Sequence, residues 1–233
     1  MLAVRKSAER GPTKIGWLDS KHSFSFGSYR DPRHTGFRDL LVINEDRVAP
    51  GAGFGRHGHA DMEIISYVLE GALGHKDSTG TDGVILPGEI QLMSAGTGIE
   101  HSEMNASTAD PVHFLQIWIK PNTRGIAPSY EQVEMPSVTA DAQLDLIAGP
   151  AGGKGTVTLH ADATLRRANL RPGATREVAI PVGRHSWVQV VRGDVTVNGQ
   201  HLATGDGLAI SDEQSLKLTG GNEATELLLF ELA

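Results

Sequence analysis

The sequence of 233 residues contains no cysteine, which removes disulfides, zinc–thiolate centres and thiol nucleophiles together. Any metal ion it holds must rest on nitrogen and oxygen ligands. Positive charge is also scarce. Twenty-one Lys and Arg stand against 28 Asp and Glu, a formal net charge of −7, and the basic residues are scattered along the chain. Phosphate backbones are bound through clustered Lys and Arg, so direct nucleic-acid binding is not expected. No apolar run approaches the roughly 18 residues that a membrane-spanning helix needs. Met1 to Gly11 is charged and lacks an apolar secretory core, so the expected location is the cytoplasm. Aromatic residues are few, at 5%.

Turn chemistry, by contrast, is plentiful, with 28 Gly and 11 Pro. Short segments of alternating or continuous apolar character lie between these turns. They run at Leu40 to Asn44, Glu63 to Leu69, Gly83 to Leu86, Ile90 to Met93 and His113 to Ile119. The second half repeats the habit at Arg176 to Ile180, Ser186 to Val191, Asp194 to Val197, Gly207 to Ile210 and Glu226 to Leu232. Short strands at this spacing predict an all-β sandwich or barrel. A short turn or helix is expected near Asp162 to Arg166. Ser66-Tyr-Val-Leu-Glu-Gly71 is echoed by Val188-Gln-Val-Val-Arg-Gly193, each a strand running into a glycine turn. A duplicated small barrel accounts for the echo. Pro121 to Pro136 has no clear period and separates the copies, giving expected domains 1–136 and 137–233.

Two residue pairs carry the chemistry. Residues two apart on a strand point to one face, so His57 and His59 project together. The same parity extends to Asp61, Glu63 and Ile65 if no bulge intervenes. His101 and Glu103 form a second pair of the same kind. Two such pairs on neighbouring strands can close on one ion and leave positions open for water, oxygen or substrate. Imidazole is the commonest transition-metal ligand, and two imidazoles at this spacing supply adjacent coordination positions. His22, His34, His75, His113, His160, His185 and His201 lack a matching pair and are expected as surface or satisfied structural side chains. Phe54, just before the first pair, is a candidate for a substrate pocket and equally for core packing. Gln116 is polar on an apolar strand and needs a partner, which favours a pocket.

The residues that carry these features also carry a family likeness. Gly51-x5-His57-x-His59-x3-Glu63 resembles the first cupin motif, and Gly88-x5-Ser94-x-Gly96 through His101-x3-Asn105 resembles the second. More narrowly, the chain resembles the pirins, in their bacterial quercetin 2,3-dioxygenase-like branch. The likeness extends over Gly16-Trp-Leu-Asp-Ser-Lys-His-Ser-Phe-Ser-Phe-Gly27, Asp61-Met-Glu-Ile, His75-Lys-Asp-Ser78, Met93-Ser-Ala-Gly96 and Gln116-Ile-Trp-Ile. It is dense in the first half and loose in the second.

This resemblance implies a bicupin, with one divalent metal per chain on His57, His59, His101 and Glu103. Iron(II) is the expected ion; zinc, manganese, cobalt, nickel and copper also suit the donor set. Glu63, at the usual glutamate position of the first motif, then falls outside the ligand set, with an expected role either as acceptor for a ligand's second ring N–H or as a structural residue. The activity implied is dioxygenation of a flavonol such as quercetin, with O2 consumed, CO released and Glu103 as the base. The alternative implied by eukaryotic pirins is a non-enzymatic, redox- or metal-responsive partner of other proteins. Gly58 and Ala60 stand where relatives commonly have proline and arginine, and neither change removes a ligand. In the second half, the positions matching the histidine pair count back to Ile180 to Val182, so that barrel is expected to be degenerate and metal-free. A monomer is expected, each barrel covering strand edges of the other.

Overall fold

The computed structural model describes residues 1–138 and 141–233. Apart from one 3-10 turn at Ser7–Glu9, its regular elements are strands. They are β1 (Leu2–Arg5), β2 (Gly11–Ile15), β3 (Leu18–His22), β4 (Leu40–Val48), β5 (Gly53–His59), β6 (Glu63–Glu70), β7 (Leu73–Asp77), β8 (Asp82–Ile85), β9 (Glu89–Ser94), β10 (Ile99–Asn105) and β11 (Val112–Ile119). There follow β12 (Ser129–Glu134), β13 (Leu144–Gly149), β14 (Val157–Thr158), β15 (Ala163–Leu170), β16 (Thr175–Ala179), β17 (His185–Arg192), β18 (Asp194–Val197), β19 (Gln200–Ala203), β20 (Gly207–Ile210), β21 (Ser215–Gly220) and β22 (Thr225–Leu232). Every segment expected as a strand from its pattern is one. The turn or helix expected near Asp162 to Arg166 is instead the start of β15, paired with β22 from Ala163↔Leu232 onward. Its residues alternate between buried and partly exposed positions, a period-two pattern too short to separate from a helix by sequence.

The chain forms two compact units, one of Gly11–Met135 with Gly149–Asp162, the other of Met1–Arg10, Pro136–Ala148 and Ala163–Ala233. In the first, strands run β12-β9-β6-β11-β4-β3-β2 in one sheet and β5-β10-β7-β8 in a second. In the other, the orders are β1-β20-β17-β22-β15-β13 and β16-β21-β18-β19. The two units therefore share one topology, as an all-β bicupin requires. β12, from the stretch without clear period, supplies an edge of the first unit. β1 supplies the matching edge of the other, which is why Met1–Arg10 belongs with the C-terminal strands. The echoed glycines occupy equivalent places. Gly71 (φ 78°) and Gly193 (φ 72°) both adopt left-handed backbone. A Cβ would lie 2.6 Å from the Pro111 carbonyl oxygen at the first and 2.4 Å from that of Ala224 at the second, so only glycine fits.

Apolar strand faces build each interior. Leu18, Val48, Val68, Leu73, Ile85, Val112 and Phe114 cluster in the first unit, and Val188, Val195, Leu202, Leu208, Leu218, Leu227 and Leu229 are among those in the other. Each such burial contributes about 1.5–3 kcal/mol. The first unit also carries a buried polar row. His22, Asn44, Gln116, Ser66 and Gln91 stand directly opposite one another across five strands. Cross-strand partners share a face, so this row points to one side of the seven-stranded sheet, the side that lines the site described next.

Candidate metal centre

β5 and β10 are antiparallel neighbours, and their register sets His101 directly opposite His57. The register then shifts between His101 and Glu103, so Glu103 pairs with Phe54. Such bulges re-aim side chains at functional sites. His57 and His59 share a face as expected. The parity does not continue to Glu63, because Asp61 turns the chain with φ 48° before β6 begins.

The three imidazoles converge. Ring centroids lie 4.8 Å apart for His57–His59, 4.4 Å for His57–His101 and 4.9 Å for His59–His101. One ring nitrogen from each lies within 4.8 Å of the other two. His57 Nδ1 is 2.8 Å from the Gly55 carbonyl oxygen. A carbonyl only accepts, so Nδ1 carries the proton and Nε2 keeps its lone pair for a ligand. His101 is 2% exposed, and neither of its ring nitrogens has a hydrogen-bond partner. Burying two polar atoms unpaired is costly, and a cation among the three imidazoles would satisfy the acceptor. Burial, together with His57, pushes the His59 imidazole down to about 4. Burial and the neighbouring His57, His59 and His75 push His101 down to about 3. Both rings are thus neutral near pH 7, the form that ligates. The donor set fits a divalent transition metal.

Glu103 is buried in the same cavity but outside that tight triad. Its Oε1 accepts from Ser66 Oγ at 3.2 Å and its Oε2 from Gln116 Nε2 at 2.7 Å. Burial pushes its pKa up to about 7 against the pull of those two hydrogen bonds. Each carboxylate oxygen has two lone pairs, so one on each remains for an ion or a proton. Gln116 thus finds its partner in Glu103. Phe54 is partly buried and serves both expected purposes, lining the cavity and packing edge-on against Trp17 at 5.2 Å.

Glu63 has neighbours that suit the structural one of its two expected roles. Its Oε2 accepts from Ser94 Oγ and from the His160 backbone N–H, both at 3.0 Å, and no hydrogen bond joins it to His57, His59 or His101. Ser94 Oγ and Glu63 both approach the same nitrogen, His160 Nδ1, at 3.2 and 3.5 Å. A Ser-His-Glu relay needs them on opposite ring nitrogens, so the trio is a clasp that ties Gly149–Asp162 to β6 and β9. Glu63→Ala is expected to destabilise this unit by about 1–3 kcal/mol, the cost of leaving buried donors unpaired. Metal stoichiometry should be unchanged; thermal melting and metal analysis of the variant read the two effects separately.

Sequence reasoning missed His75. Its strand neighbour across β10 is Glu103, its ring is 5.3 Å from His101, and it is 2% exposed. Its Nε2 lies 3.0 Å from Asp77 Oδ2, while Thr79 N, Thr79 Oγ1 and Thr81 N donate to Asp77 Oδ1. The signal was present: His75-x-Asp77 has the same two-residue spacing as the ligand pairs. The pair buttresses His101 from behind. Asp77→Asn is expected to weaken metal affinity about 10–100-fold, as loss of outer support commonly does, measured by competition with a chelator.

The cavity beside the triad has a volume of about 440 Å³, within the range of small-molecule sites. Trp17, Phe26, Phe54 and Trp118 line it. Phe26 meets Trp118 edge-on at 5.4 Å, and Trp118 meets His59 edge-on at 4.9 Å. The other unit offers no histidines at the equivalent strands. By sheet order the counterpart of β5 is β16, Thr-Arg-Glu-Val-Ala, not Ile180 to Val182. The connection after β16 is longer than the one after β5, which misplaces a count made backward from Gly193.

Comparison with known proteins agrees with this geometry. The pirin family profile matches residues 3–119, and that of the quercetinase C-terminal cupin domain matches residues 146–232. A quercetin 2,3-dioxygenase of Escherichia coli (strain K12) is 45% identical over 232 residues, covering 100% of this chain and 99% of the relative. This chain belongs to the pirin family. A pirin-like protein of Caulobacter vibrioides is 38% identical, with 96% of each chain covered. The crystal structure of the bacterial pirin YhhW from Escherichia coli in complex with nickel(II) superposes on this pirin with a TM-score of 0.94. It is 45% identical and covers 100% of this chain and 99% of its own. Within the family, this pirin is of the quercetin 2,3-dioxygenase-like branch.

Proposed function

We propose that this pirin is a metal-dependent oxidoreductase that cleaves a flavonol such as quercetin with O2 and releases CO. The observation that carries the reading is the joint placement of three convergent imidazoles and a buried carboxyl group beside one aromatic-lined cavity. His57, His59, His101 and Glu103 would hold one divalent transition metal, iron(II) being the ion proposed for the cell. The related Escherichia coli pirin in complex with nickel(II) supports a divalent transition metal in a pirin. A bound ion of this class supplies Lewis acidity toward an enolic oxygen and a route for oxygen chemistry.

The chain's own residues do the rest. Trp17, Phe26, Phe54 and Trp118 give flat apolar surface to aromatic rings and exclude water. Glu103, held by Ser66 and Gln116, is the acceptor for the proton of the flavonol 3-hydroxyl. Its raised pKa makes it a stronger base than an exposed carboxylate. Domain roles follow: the unit of Gly11–Met135 with Gly149–Asp162 carries the chemistry, and the other is a degenerate barrel.

The test is oxygen uptake and CO release by metal-loaded protein with quercetin. The reading expects turnover well above free metal, lost in His57→Ala. Turnover no faster than free metal under any of the six ions would overturn it.

A further inference from the structure

We propose that Asp46 selects among aromatic substrates by accepting a hydrogen bond from a second hydroxyl, distinct from the one at the metal ligands. The inference rests on the flavonol reading and deepens it. Asp46 lies on β4, in the seven-stranded sheet, whereas His57, His59, His101 and Glu103 all lie on β5 and β10 of the four-stranded sheet. Asp46, His57, His59 and Glu103 line the same cavity. Asp46 therefore faces the ligands from the opposite wall, where a substrate held at the ligands would present its other substituents.

On that wall His22 and Asn44 are already paired, and Trp118 Nε1, which is unpaired, is a donor that calls for an acceptor. Thr13 Oγ1 is 2.8 Å from His22 Nε2, and His22 Nδ1 is 2.7 Å from Asn44 Oδ1. Asp46 differs. It is 2% exposed, Ser20 from the directly opposite position on β3 hydrogen-bonds its carboxyl, and its Oδ1 has no partner. A buried carboxylate oxygen left unpaired is costly unless something completes it. Burial pushes this carboxyl up to about 7; in its ionised form it accepts and does not donate, and the group that completes it is then a donor. Among uncharged aromatic molecules that fit an aromatic-lined cavity, the donor is a hydroxyl. Phe54 and Trp17 hold the ring faces; Asp46 then discriminates by hydroxylation.

Quenching of Trp17 and Trp118 fluorescence by quercetin and by 3-hydroxyflavone, which lacks the further hydroxyls, tests this in the metal-loaded protein. The wild type should bind quercetin about tenfold or more tightly than 3-hydroxyflavone, the discrimination a buried charge-assisted hydrogen bond provides. Asp46→Ala should shrink that ratio to within about threefold by weakening quercetin alone. Asp46→Asn, which keeps one acceptor oxygen and nearly the same volume, should restore part of it. An unchanged ratio in both variants, or equal weakening of both ligands, would overturn the assignment and leave Asp46 a structural acid. Oxygen uptake on the same samples separates the two claims. Hydroxyl-dependent binding without turnover counts against the dioxygenase reading alone, and turnover with an unchanged ratio counts against Asp46 alone. Failure of both ligands to bind would overturn both.

Discussion

His101→Leu is expected to abolish stoichiometric metal binding and, at the same time, to stabilise the metal-free protein. The two effects share one cause. His101 is buried between β5 and β7 with both ring nitrogens unpaired, and its proton affinity is driven down by burial and by three neighbouring imidazoles. In the absence of an ion those nitrogens are a liability of about 1–3 kcal/mol each. Leucine fills a similar volume without polar atoms, so the metal-free variant should melt higher than the metal-free wild type. Adding an ion reverses the order. Selective binding to the folded state at a hundredfold excess over Kd stabilises by about 2.7 kcal/mol. The wild-type transition should rise accordingly while the variant's stays put. Melting curves with and without nickel(II) read both signs in one experiment. A variant that melts lower without metal would show that the ring is a packing element first.

Glu103→Gln is expected to lower kcat about 10²–10⁴-fold, the contribution of a positioned general base, while the fold survives. Glutamine is nearly isosteric, and its amide can orient the oxygen to Gln116 Nε2 and its NH2 group toward Ser66 Oγ, which can accept as well as donate. The cavity therefore keeps its shape. What disappears is the negative charge and the proton acceptor beside the three imidazoles. Three histidines remain, so an ion should still bind, more weakly. Steady-state kinetics at saturating quercetin, with metal content measured on the same preparation, separate lost base from lost metal. A kcat within about threefold of wild type at full occupancy would remove Glu103 from the proposed proton transfer.

These two residues also show what a sequence does and does not disclose about such a site. His57, His59 and His101 were legible because the two-residue strand period is local and survives into the folded chain. Glu103 was legible as a facing residue, but its hydrogen-bond partners come from β6 and β11, and only Gln116 drew attention as a polar residue on an apolar strand. Asp46 and His75 stayed hidden, since their importance lies in what the opposite sheet or the neighbouring strand brings within reach. Glu63 was legible as a residue outside the ligand set, but its partners were not, because the turn at Asp61 directs it to Ser94 and His160. The duplicated barrel was visible in the Gly71 and Gly193 echo. The placement of β1 with the C-terminal strands was not, because β1 finds β20 some 200 residues away and no local pattern encodes such a pairing. The Asp162 to Arg166 segment shows the same limit at short range: β22 decides its conformation.

Titration of metal-free protein with nickel(II) or iron(II) under anaerobic conditions, followed by calorimetry, bears most directly on the metal centre. One ion should bind per chain in the wild type and in Glu63→Ala, and none should bind stoichiometrically once His57, His59 and His101 are all alanine. Stoichiometric binding that survives the triple substitution, or no stoichiometric binding in the wild type, would contradict the account.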